Sequence, residues 1–236
     1  MGYYTSYLIL LPAIIFAFWA STNIEHTYSK YSKVRNSRGL TGADVARQIL
    51  DMNGLNYVMI EHISGNLTDH FDPKSNVVRL SDSTYNSQSV AALGVAAHEC
   101  GHAVQYKENY FPMRIRAAII PATNIGSKLA IPLILIGILF ASLANGANAM
   151  SEFFINAGLI LFSLTVVFQL LTLPVEFNAS SRALRTLRDA YLLSMDELPG
   201  AKKTLRAAAL TYVAGLVSAL ASLLRLIIMT RGGRRR

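Results

Sequence analysis

Four apolar runs, residues 3–20, 129–144, 153–173 and 207–229, carry one charged side chain among them, Arg225. A helix rises about 1.5 Å per residue and a bilayer's hydrocarbon core is about 30 Å thick, so about 20 such residues cross it. The second run reaches that length with a few preceding residues. A chain in lipid must satisfy its backbone hydrogen bonds internally, so runs of this kind dictate helices. Composition agrees. The 236 residues are 52% hydrophobic and 15% charged, with a mean hydropathy of +0.34; soluble domains are about one quarter charged. The net charge of +8 comes from Lys and Arg placed beside the apolar runs. That is the pattern of a lipid bilayer partner, and no nucleic-acid signature accompanies it.

The first run has no Lys or Arg before it, so it reads as an uncleaved span rather than a signal peptide, with Trp19 at an interface and Pro12 as a tolerated kink. Lys30, Lys33, Arg35 and Arg38 follow it and place that side in the cytoplasm. Residues 25–112 then form a region outside the lipid. Thr41 caps a helix with Val45, Ile49 and Met52 at helical spacing, ended by Asn53-Gly54. Residues 57–60 and 77–80 are strand candidates around a turn-rich stretch at 66–73. In that stretch Asp69, His70 and Asp72 favour turn chemistry over metal binding. Residues 76–81 suit either an edge strand that pairs with extended substrate or a plain sheet strand. A helix over 89–107 is capped by Asn86 or Ser87.

Downstream, 113–145 reads as a surface segment leading into a span. Residues 145–152 lack a basic side chain and suit the far side. Residues 153–174 span again, with Pro174 marking the exit, and 175–200 form a polar helix that ends at Pro199-Gly200. The last run, 207–229, is read as a span although basic residues flank both ends, which the positive-inside rule cannot satisfy together.

The chemistry sits in the 89–107 helix, at His98-Glu99-Cys100-Gly101-His102. Histidines four apart lie one above the other on a helix face, so both rings can reach one small cation. Glu99 sits about 100° further round, beside that cation. This is the zincin arrangement: two imidazole ligands for Zn2+, and a carboxylate that takes a proton from water. Two histidines buried on an apolar helix would otherwise each need a partner. A third ligand is required, and no histidine follows His102. Glu176, just after the 153–174 span, is the best candidate; an interface anchor is the plainer alternative. Two crossings separate it from the His pair, so both lie on one side of the membrane. Cys100 excludes an internal disulfide and reads as a small core residue. The expected fold is therefore mainly α, a multi-span membrane protein with a small zincin-like α+β catalytic region carrying the H-E-x-x-H helix.

Four segments in order, Thr41-Gly42-Ala43-Asp44-Val45-Ala46, Leu67-Thr68-Asp69-His70-Phe71-Asp72-Pro73, His98-Glu99-Cys100-Gly101-His102 and Leu173-Pro174-Val175-Glu176-Phe177-Asn178-Ala179-Ser180, resemble the YugP-like membrane zinc metallopeptidases of bacteria. The likeness covers nearly the whole chain. It implies a membrane-embedded neutral zinc endopeptidase of gluzincin type, with His98, His102 and Glu176 as ligands to one Zn2+ and Glu99 as the base. Peptides or proteins, membrane proteins among them, are the implied substrates, in the bacterial cell membrane. Many gluzincins carry an Asp four residues after the third ligand; this chain has Ser180, so Ser180 or Asn178 would accept the ligand histidine's N–H. Candidates for stabilising the oxyanion are His70, Tyr191, Arg182 and Arg185, although the two arginines are better read as anchors of their helix at lipid headgroups. The competing reading is a zinc-stabilised membrane scaffold or adaptor without turnover.

Overall fold

The computed structural model describes residues 7–232. In chain order its elements are α1 (Leu10–Tyr31), α2 (Gly42–Met52), β1 (Met59–Ile63), β2 (His70–Asp72), β3 (Val77–Ser81), α3 (Val90–Lys107), α4 (Phe111–Leu143), α5 (Ala149–Asp189) and α6 (Leu198–Gly232). The chain is mainly helical, and four of its helices, α1, α4, α5 and α6, are long and apolar enough to cross a membrane. It divides into two compact units. Residues 3–6 of the first expected span and Arg234–236 lie outside the described residues.

One unit comprises Met1–Trp19, Ile115–Thr172 and Tyr212–Arg236. Large apolar side chains such as Leu129, Leu135, Leu139, Phe153 and Leu170 are exposed on it, as a lipid-facing surface requires. Within it, α4 and α5 approach through glycines. A Cβ at Gly137 would lie 2.8 Å from the Ser151 carbonyl oxygen, and one at Gly158 would lie 2.7 Å from that of Ala130. Small residues permit such backbone contact, which is how helices associate where no hydrophobic force drives them. Arg225, the lone charge of the four runs, sits 4.1 Å from the Tyr7 ring centroid and has a cation–π partner there.

Three prolines did not break their helices. α4 runs unbroken from Phe111 through Pro121 and Pro132, where a separate surface segment was expected at 113–128. α5 likewise runs through Pro174, so the expected elements 153–174 and 175–200 are one helix as far as Asp189. An interior proline costs about 3 kcal/mol. Val175 and Leu187 are fully buried, as are Ala179 and Ala183 between them; each larger apolar side chain contributes about 1.5–3 kcal/mol, which offsets that cost. α5 ends with Tyr191 in the left-handed region, and Leu192 N–H bonds to the Leu187 carbonyl. Pro199 then occupies the first turn of α6, where its missing N–H costs nothing. Pro199-Gly200 opens a helix instead of closing one.

The other unit comprises Ala20–Arg114 and Leu173–Thr211. Its sheet has the order β1-β3-β2, with β1 parallel and β2 antiparallel to β3. β3 is therefore an interior strand with both sides paired, so the substrate-pairing edge considered for 76–81 does not exist there. Val77, Val78 and Leu80 of β3 are buried, and Val78 and Leu80 join α2, α3 and the last turns of α5 in one core with Val45, Leu50, Leu93 and Leu187. Thr41 caps α2 as expected, in a reciprocal box with Asp44. α3 is capped by Ser89, which accepts from Ala92 N–H, rather than by Asn86 or Ser87. The turn chemistry of 66–73 holds as well. Asp69 accepts from Ser81 N–H and its hydroxyl, and Asp72 accepts from Lys74 N–H, Ser75 Oγ and Arg79.

Candidate metal centre

The second unit brings α3 and the Leu173–Asp189 stretch of α5 together. Gly101 lets them meet: a Cβ there would lie 2.9 Å from the Ala179 carbonyl oxygen. That backbone contact sits one turn from Glu176 on α5 and between the two histidines on α3. It sets the carboxylate opposite the imidazole pair.

His98, His102 and Glu176 form a group that could hold a metal ion. His98 Nε2 lies 3.2 Å from Glu176 Oε2 and 3.2 Å from His102 Nε2, and His102 Nε2 lies 3.5 Å from Glu176 Oε2. These side chains are largely withdrawn from solvent, at 13% and 12% exposure for the histidines and 4% for Glu176. The triangle fits zinc. Ligand atoms about 2.0–2.1 Å from a tetrahedral ion are about 3.3–3.4 Å apart, and the three separations bracket that value. His98 Nδ1 is 3.1 Å from Ser180 Oγ, and His102 Nδ1 is 3.0 Å from Gln105 Oε1. The outer ring nitrogens are thus engaged, and the inner ones converge on the carboxylate.

Glu99 is buried at 8% exposure on the adjoining flank of α3. Among the described residues, no hydrogen bond ties up its carboxylate. Cys100 is fully buried, and burial pushes its thiol well above the ordinary value, which suits a core residue and not a nucleophile. A cleft of about 470 Å³ opens between α2, α3 and α5, lined by Met52, Asn53, Gly101, Val104, Arg182 and Arg185 among others. Gly101 and Val104 lie on the flank of α3 turned away from Glu99, so this cleft backs the metal centre and is not the approach to Glu99.

The other sequence candidates are placed as follows. Ser180 reaches His98. Asn178 reaches neither histidine; its Oδ1 accepts from Gln105 Nε2 and from Arg182 Nε. Arg182 also pairs with Glu108 at 2.7 Å, and that guanidinium holds the Glu108 carboxyl below the usual carboxylate range. Arg185 is exposed on the cleft wall. His70 Nδ1 contacts the Thr68 carbonyl at the start of β2, and Tyr191 is 81% exposed beyond the end of α5. Asp69 and Asp72 take no part in the triangle. Gln105 was not among the candidates. Its signal was present, a buried polar residue three positions after His102 on the same helix face, where one side chain can meet the next.

A family model described as putative neutral zinc metallopeptidase matches residues 6–231. This chain belongs to that family. Among curated proteins, the putative membrane protease YugP of Bacillus subtilis (strain 168) is 45% identical to this family member over 226 residues, covering 96% of each chain. No solved structure matches. Membership implies zinc as the ion for the His98, His102 and Glu176 group, in agreement with the spacing of the three donor atoms.

Proposed function

We propose that this protein is a membrane-embedded zinc metalloendopeptidase of gluzincin type, with its active site on the cytoplasmic side. One observation carries the reading: three donor atoms 3.2–3.5 Å apart sit beside a buried carboxylate that has no hydrogen-bond partner among the described residues. His98, His102 and Glu176 would hold the ion, and the α3 helix with its sheet would be the zincin-like part of the fold. When bound, zinc supplies Lewis acidity toward the scissile carbonyl and toward water.

The chain's own residues do the rest. Glu99 accepts a proton from the attacking water as that oxygen bonds to the carbonyl carbon. It returns the proton to the departing amide nitrogen as the C–N bond breaks. A carboxylate on a largely buried side chain and without a standing hydrogen bond is available for both transfers. Ser180 and Gln105 hold the ligand rings in orientation. The four membrane-length helices support the membrane embedding, and the basic stretch from Lys30 to Arg38 supports the cytoplasmic placement. The substrates would be peptides or proteins, membrane proteins among them.

The experiment is a casein and peptide cleavage assay on the full chain purified in detergent. Activity is expected with zinc, to vanish on chelation and to return on zinc addition. Zinc bound stoichiometrically with no turnover on any substrate would favour the scaffold reading instead.

A further inference from the structure

Gln105 is completely buried in α3, where an unsatisfied amide would cost about 1–3 kcal/mol. Its amide is fully used. Nε2 donates to the Val175 carbonyl at 2.8 Å and to Asn178 Oδ1 at 2.9 Å, while Oε1 faces His102 Nδ1 at 3.0 Å. The two ends of an amide can often be exchanged without consequence. Here they cannot. A backbone carbonyl only accepts, so the NH2 group must face Val175, and turning the amide over would set two oxygens against each other. Asn178 is fixed by the same logic. Arg182 Nε, which only donates, lies 2.7 Å from Asn178 Oδ1, so that oxygen and not the NH2 faces Gln105. Arg182 is itself held by Glu108 at 2.7 Å.

With the NH2 group anchored, Oε1 is left facing His102 Nδ1, and an oxygen requires a hydrogen there. A neutral imidazole has one N–H. In the neutral ring His102 Nε2 therefore keeps its lone pair, and His98 Nε2, nearer to Glu176 Oε2 at 3.2 Å than His102 at 3.5 Å, is the donor to that carboxylate when no ion is present. His98 differs. Its partner is the Ser180 hydroxyl, which can donate or accept and so leaves the tautomer open. Val175, which anchors Gln105, immediately precedes Glu176. One side chain thus binds the ring of one donor and the backbone beside another.

We infer that Gln105 is the positioning residue of the metal centre: it locks His102 in the Nδ1–H tautomer, leaves Nε2 free for the ion, and ties that ring to the α5 backbone that carries Glu176. The inference rests on the metal-site reading above and adds a role that the H-E-x-x-H pattern does not contain.

The test uses the full chain in detergent with 15N-labelled histidine. In the zinc-free wild type, with the pH raised until the His102 ring is neutral, long-range 1H–15N correlations are expected to show His102 as the Nδ1–H tautomer. Gln105→Leu, close in volume but without the amide, is expected to lose that preference. It should bind zinc about 10–100-fold more weakly in competition with a chelator, and its cobalt-substituted form should show shifted visible bands. Gln105→Glu, which keeps an acceptor for His102, is expected to recover part of the affinity. An Nε2–H tautomer in the wild type would overturn the inference without any variant having to fold. So would a folded Gln105→Leu protein with wild-type zinc affinity and cobalt spectrum. In both cases the metal site itself would stand, whereas a wild type that binds no zinc would remove the metal site and this inference together.

Discussion

Glu99→Gln is expected to lower peptide cleavage by about 10²–10⁴-fold, the range that a positioned acid–base group contributes, while zinc remains bound at wild-type stoichiometry. The amide has nearly the same volume and occupies the same 8%-exposed position, so little repacking accompanies the change. What disappears is the carboxylate oxygen that takes the proton from water. Initial rates on a peptide substrate, measured with metal content on the same sample, separate the two effects. Undiminished proteolysis would remove Glu99 from the mechanism, and loss of zinc together with activity would make it a structural support instead.

Glu176→Ala is expected to have the larger effect on metal. It removes one of three donors and leaves two imidazole nitrogens 3.2 Å apart with no carboxylate opposite. Loss of a supporting partner costs about 10–100-fold in affinity, and loss of a direct donor should exceed that. Metal analysis after dialysis is expected to find the variant empty under conditions where the wild type keeps its ion, with cleavage absent. Glu176→Gln tests whether charge or volume matters, because its oxygen can still face the histidines. Full zinc occupancy in the alanine variant would reduce Glu176 to a packing residue and send the search for the third ligand elsewhere.

Much of the metal centre was legible because its parts are local or few. His98 and His102 are related by one helical turn, which spacing alone reveals. Glu176 stood out because no histidine follows His102 and because it lies just after the 153–174 span, two crossings from the His pair. The α2 cap was equally local, with Thr41 and Asp44 three residues apart. What was not legible depends on distant partners. Pro174 looks like a helix end until Val175, Ala179 and Ala183 are seen buried against α3 and the core. β2 is only three residues long in a turn-rich stretch and exists because β3 is there to pair with it. Gln105 has its meaning from Val175 and Asn178, 70 and 73 residues further along the chain. Ser89 is the cap, and not Asn86 or Ser87, because α3 begins with the first apolar residue, Val90.

The burial of Cys100 makes the natural chain a ready background for site-directed labelling. Its thiol is out of solvent and resists ionisation, so a maleimide reagent should ignore it in the folded protein. Lys74, exposed in the turn between β2 and β3, offers a place for a single reporter thiol in the same unit as the metal centre. In whole cells, Lys74→Cys is expected to resist a membrane-impermeant maleimide and to react once the cells are opened. Labelling of intact cells would turn the unit that carries the candidate metal centre to face the outside.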